Sequence, residues 1–123
     1  MENLNIRQED YIKAIYFLSK HKKGGWVSNT EISHYLNVKP SSVTSMLVKL
    51  REKNLIEWRP RKSLRLTEKG REMARTLIKK YEVLRNFFIN ILHIDDSPKI
   101  NELCCKLEHL VTMEITKALE DLN

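Results

Sequence analysis

Cys105, Glu108 and His109 are spaced i, i+3 and i+4, so a helix through them presents a thiol, a carboxylate and an imidazole on one face. All three are metal-ligand types. A thiol beside an imidazole suits a first-row transition ion better than magnesium or calcium. An ordinary polar surface uses the same residues, so the triplet gains meaning only from the elements that must position it.

The segment 98–111 reads as the required helix. Ser97 is placed to cap it, Pro98 suits its first position, and Ile100, Leu103, Leu107, Leu110 and Val111 form its apolar stripe. Ahead of it, Met73, Leu77, Tyr81, Leu84, Phe88 and Leu92 keep a helical period over about seven turns, starting near Glu68 with Thr67 as cap. Residues 93–97 break the pattern, and a last helix is expected over 113–122 behind Thr112. Phe87, Phe88, Ile91, Leu92 and Ile94 exceed what one helical face can bury, and the excess reads as a dimer surface.

The front of the chain has a different character. Residues 1–70 carry 14 Lys and Arg against 7 Asp and Glu (+7), and residues 71–123 carry 8 against 9 (−1), which accounts for the net +6. A basic front half suggests a polyanion-binding unit joined to something else. A helix is expected over 6–21, with Tyr11, Ile12, Ile15, Tyr16 and Leu18 inward, and it is ended by Lys22-Lys23-Gly24-Gly25. Trp26 and Val27 read as a brief extended stretch. A second helix over 30–36, capped by Ser28 or Asn29, turns Ile32, Tyr35 and Leu36 inward. After the turn at 37–39, a third runs from Pro40 to about Asn54, burying Val43, Leu47 and Leu50 with Met46 beside them. Extended segments over 55–59 and 63–66, joined at Pro60-Arg61-Lys62, read as a hairpin.

Helix, turn, helix and basic hairpin is the winged helix-turn-helix order. A helix that enters the major groove needs small polar residues at its tip so that the backbone can approach. Pro40, Ser41, Ser42, Thr44 and Ser45 meet that need, with Lys39 and Lys49 supplying charge at either end. Ser42 and Ser45 are candidates for base edges, and Arg59, Arg61 and Lys62 for an adjacent backbone or minor groove. The fold expected is mainly α: a winged helix-turn-helix DNA-binding domain with a two-stranded wing over 1–70, then a helical metal-binding and dimerisation domain over 71–123.

Length and composition agree with this. The 123 residues, 41% of them hydrophobic, can bury a core, and the longest apolar run, 87–94, is broken by Asn90 and His93 and falls short of the ~20 residues that cross a bilayer. No signal-peptide layout opens the chain. Two adjacent cysteines make no disulfide scaffold, so a cytoplasmic location without membrane partners is expected.

The segments DYIKAIYFL, VKPSSVTSMLVKL, SLRLTEKGREMA and CCKLEHLV resemble the metal-dependent repressors of the diphtheria-toxin-repressor and manganese-transport-regulator type over nearly the whole chain. The resemblance implies a homodimer that binds double-stranded operator DNA, represses metal-uptake genes, and gains affinity when a divalent transition metal binds between its two parts. Its ligands fall on Asp10, Cys105, Glu108 and His109. Cys105 matches the iron-responsive branch and Asp10 the manganese branch, which makes Fe(II) the favoured ion and Mn(II) the next. Tyr81, Arg85, Asn101 and Lys13 stand where members have further ligands. Two of these are cationic and repel a second ion, so one site per chain is expected.

Three other classes compete, one of them a winged-helix module used only for protein contacts, which salt-sensitive DNA binding would separate. A regulator of the MarR type would sense a small ligand or thiol oxidation without metal. A small metallohydrolase would need a placed general base, and no such motif, phosphate loop or nucleophile elbow is present. No enzymatic activity is expected.

Overall fold

The computed structural model describes residues 4–59 and 63–122. It divides between Ala74 and Arg75 into two compact units. In the first, α1 (Ile6–Ser19) starts on a reciprocal cap: Asn5 accepts from the Gln8 backbone N–H at 2.8 Å, and the Gln8 side chain accepts from the Asn5 N–H at 3.1 Å. It stops two residues short of the expected His21, and a single 3₁₀ turn (Lys23–Gly25) follows. Helix α2 (Asn29–Leu36) has the same kind of cap, made by Ser28 with Glu31.

Asn37 closes α2 in the left-handed region (φ 55°), and the buried Ser33 hydroxyl donates to the Val38 carbonyl at 2.6 Å. That turn sends the chain into α3 (Pro40–Glu52), with Pro40 at its start. Val43, Leu47 and Leu50 bury one face of α3 in a core shared with Ile12, Ile15, Val27, Ile32, Leu55 and Leu64. Tyr35, expected inward, is 54% exposed. The eight-residue α2 meets the core through Ile32 and Ser33, and Tyr35 lies beyond that narrow contact.

The wing is an antiparallel pair, β1 (Ile56–Arg59) and β2 (Ser63–Leu66), with Glu57 opposite Arg65 and Trp58 opposite Leu64. Its expected turn, Pro60-Arg61-Lys62, lies outside the described residues. Val27 bonds reciprocally with Leu64, so the 26–27 stretch runs along β2 as a short third strand. Period-two alternation turns Ile56, Leu64 and Leu66 to the core and leaves Glu57 and Arg59 exposed.

Helix α4 (Glu68–Asn86) starts at Thr67, whose hydroxyl accepts from the Gly70 N–H and donates to the Asn54 carbonyl. It ends earlier than its apolar repeat suggests. Phe87–Ile91 form a wide π-helical turn closed by the Leu92 N–H on the Phe87 carbonyl, and His93 then takes φ 58°. Helices α5 (Pro98–Leu107) and α6 (Met113–Glu120), capped by Ser97 and Thr112, complete the second unit. Within it, Arg85 Nε and the Tyr81 hydroxyl both donate to Asn101 Oδ1, at 2.8 and 3.3 Å, and Arg85 also pairs with Asp96.

Candidate functional site

On α3 the small polar residues face outward. Ser41, Thr44, Ser45 and Lys49 are exposed, as are Lys39 and Pro40 at the helix start, while Ser42 is half-buried. The Thr44 hydroxyl donates to the Pro40 carbonyl (3.2 Å) and accepts from Asn29 Nδ2 (2.9 Å); Ser45 donates to the Ser41 carbonyl (3.1 Å). These bonds turn both hydroxyls back onto the helix, so this end of α3 presents a low surface with no long side chain. Lys39 and Lys49 flank it. Such a surface admits close approach by a phosphate backbone or the floor of a groove.

The wing adds cations. Arg59 is exposed on β1, whereas Arg61 and Lys62 lie outside the described residues. The pattern of charges in the sequence missed what holds Arg59: its guanidinium stacks on Trp26 with Cζ 4.5 Å from the ring centroid. Arg65 lies over the same indole at 4.4 Å, and Arg51 over Trp58 at 5.0 Å. The sequence shows two Trp and eight Arg, but which ring meets which arginine depends on strand register.

The candidate metal ligands are distributed between the units. Asp10 is exposed on α1 in the first. In the second, Cys105 is exposed on α5, Glu108 is completely buried, and His109 is half-buried. Helix α5 ends at Leu107, but Glu108 keeps helical dihedrals and its N–H donates to the Cys104 carbonyl at 3.0 Å, and His109 lies in the turn that follows. The Leu110 N–H tightens onto the Leu107 carbonyl, and the chain then extends at Thr112 to cap α6. Among the described residues, no three His, Cys, Asp or Glu side chains are gathered closely enough to hold an ion. The donor chemistry suits a transition metal.

Cys104 packs as a small apolar residue, fully buried, and burial raises its thiol pKa above the ordinary value. Tyr81, Arg85 and Asn101 are joined to one another through the bonds given above.

Comparison with known proteins adds to this geometry. Residues 3–64 match the family described as "Iron dependent repressor, N-terminal DNA binding domain", and residues 67–123 match "Iron dependent repressor, metal binding and dimerisation domain". The chain is 35% identical over 112 residues to an HTH-type transcriptional regulator of Methanocaldococcus jannaschii, covering 91% of this chain and 88% of that one. Among solved structures it resembles ScaR with bound Zn2+ (29% identity, TM-score 0.79) and the manganese regulator SloR (30%, TM-score 0.77). Each likeness spans 94% of this chain but 52% of the other, so the chain corresponds to about half the length of those proteins.

Proposed function

Because the chain belongs to the iron-dependent repressor family of DNA-binding transcriptional regulators, we propose that it represses metal-uptake genes and that its operator affinity rises on binding a divalent transition metal. The observation that carries this reading is the succession, within one short chain, of a DNA-binding family domain and a metal-binding and dimerisation domain. The family consists of regulators rather than enzymes.

The proposed ligands are Asp10, Cys105, Glu108 and His109, for one ion per chain. The Cys105 thiolate favours Fe(II), with Mn(II) next. When bound, the ion would supply positive charge that offsets the carboxylate charge of its ligands. The protein's own part is a proton loss at Cys105, a coordinating nitrogen on His109, and a buried Glu108 carboxylate in low dielectric, where a cation interacts strongly. Since Cys105 is exposed and Glu108 buried, ligation is coupled to closure of the 105–109 turn.

In a homodimer, two α3 helices must sit about one DNA turn apart, roughly 34 Å, to engage both half-sites. Fixing the two α3 helices at that spacing is worth about 1–3 kcal/mol of coupling, or about 5- to 150-fold in operator affinity. The test is anaerobic. Duplexes selected from a random pool are titrated with and without Fe(II), Mn(II) and Zn(II). Metal is expected to raise affinity within that range, and Cys105→Ala to abolish the increment while leaving the dimer intact. An increment that survives Cys105→Ala rules out the ligand set. Affinity equal with and without metal rules out the metal response and favours the MarR-like alternative.

A further inference from the structure

The outer face of the wing carries an arrangement that structural stacking alone does not account for. Trp26 lies beside β2 in the row that continues through Arg65 to Glu57, since Val27 pairs with Leu64 and Arg65 with Glu57. Two guanidinium groups share its indole, with Cζ atoms 4.5 Å (Arg59) and 4.4 Å (Arg65) from the ring centroid. The ring itself is hemmed in: Gly24 has φ 71°, and a Cβ there would come within 3.1 Å of the indole Cδ1.

The two arginines differ in what else they touch. Arg65 is neutralised, its Nε lying 3.0 Å from Glu57 Oε2, and its Nη1 donates to the Gly24 carbonyl at 3.1 Å. Arg59 is exposed and has no carboxylate partner among the described residues; the indole is what holds it. A stacked guanidinium keeps its edge N–H donors free, in the planar fork that matches phosphate oxygens. With the neighbouring charge already cancelled by Glu57, Arg59 remains as a single fixed cation with donors to spare.

We propose that Trp26 is a positioning residue for DNA: it holds the Arg59 guanidinium on the wing's outer face, where that group takes one backbone phosphate. The inference rests on the DNA-binding reading and adds to it a residue that touches no DNA. It also separates Arg59, which meets the phosphate, from Arg65, which completes the platform.

The test uses the full chain and a labelled mixed-sequence DNA duplex, with affinity measured over a range of salt concentrations. Each phosphate contact adds about 0.9 to the slope of log affinity against log salt. Arg59→Ala is expected to flatten the slope by about 0.9 and weaken binding about tenfold at low salt. Trp26→Leu, which keeps bulk but removes the aromatic face, is expected to flatten the slope as Arg59→Ala does, and Trp26→Phe to restore it. The double variant Trp26→Leu/Arg59→Ala is then no weaker than Arg59→Ala alone.

A wild-type slope in Trp26→Leu, or losses that simply add in the double variant, overturns the proposal. Arg59→Ala touches no core residue, so an unchanged slope there overturns it even if Trp26→Leu fails to fold. If the wild-type chain does not bind the duplex at low salt, the DNA-binding reading falls and takes the proposal with it. That outcome is distinct, because every variant then behaves alike.

Discussion

Gly70 lies in the first turn of α4, where the helix meets the backbone that enters β1. The Thr67 N–H donates to the Leu55 carbonyl at 3.0 Å, and that same oxygen would lie 2.3 Å from a Cβ on Gly70. The obstruction is backbone, pinned by a hydrogen bond, so it cannot swing aside as a side chain would. Gly70→Ala is therefore expected to lower stability by about 1–3 kcal/mol, the usual cost of overpacking, with its helix propensity gain too small to offset it. Urea titration of the two proteins measures this; an unchanged midpoint would show that α4 can move away from Leu55 freely. The same scale decides what sequence could say about the candidate metal centre. Residue types at 105, 108 and 109 were legible because ligand chemistry depends on side-chain identity. Their division into exposed Cys105 and buried Glu108 was not, since burial depends on tertiary packing rather than on residue type.

At the scale of elements, α2 is held at its start by Ser28 and Glu31, and Glu31 is joined there by Lys22 at 2.7 Å. The hydrogen bond from Lys22 is the main reason the Glu31 carboxyl titrates below its ordinary range, with the Ser28 backbone N–H adding to it. A carboxyl whose folded pKa lies below its unfolded value stabilises the fold above the unfolded pKa, and the contribution disappears as pH falls through the folded one. Lys22→Met is thus expected to cost about 0.2–1 kcal/mol at neutral pH, the range of partly exposed ion pairs, and nothing at strongly acidic pH. Denaturation midpoints at the two pH values check this, and an equal deficit at both would assign the loss to something other than the pair. Elements with a clear period were readable: α1, α3, the wing and most of α4 follow from spacing of apolar residues. Their ends were less so. Asn5 and Ser28 set starts through side-chain caps, whereas the π turn at Phe87–Ile91 leaves the helical repeat of its residues intact and so has no signature in the apolar pattern. The Trp26 platform was hidden for a related reason, being a product of cross-strand register.

For the whole molecule, the two units differ in how much they cover. The first has a continuous core from Tyr11 to Ala74. In the second, the buried apolar residues are Leu77, Leu84 and Cys104, and Leu92, Ile94, Leu103, Leu110, Ile115 and Leu122 all stay at least 40% exposed. A unit that leaves this much apolar surface in water is completed by association, in keeping with the dimerisation domain its sequence matches. Phe87, Phe88, Ile91, Leu92 and Ile94 after α4 exceed what one helical face can bury, which makes that cluster the expected dimer surface. No helix of the described residues is long and apolar enough to cross a membrane. Leu92, 49% exposed, supports the sharpest test. Leu92→Asp removes a side chain whose burial is worth about 1.5–3 kcal/mol and puts a charge in its place, so dimer dissociation should rise at least tenfold. Ile6→Asp, at a residue equally exposed on α1, should leave association unchanged. Sedimentation equilibrium distinguishes the two. Because Leu92 is half in water already, the variant should keep its helical content, and loss of association without loss of fold locates the interface. Equal dimer strength in wild type and Leu92→Asp would move the interface to the turn after α5 and to α6, where Leu110 and Ile115 are the next residues to charge.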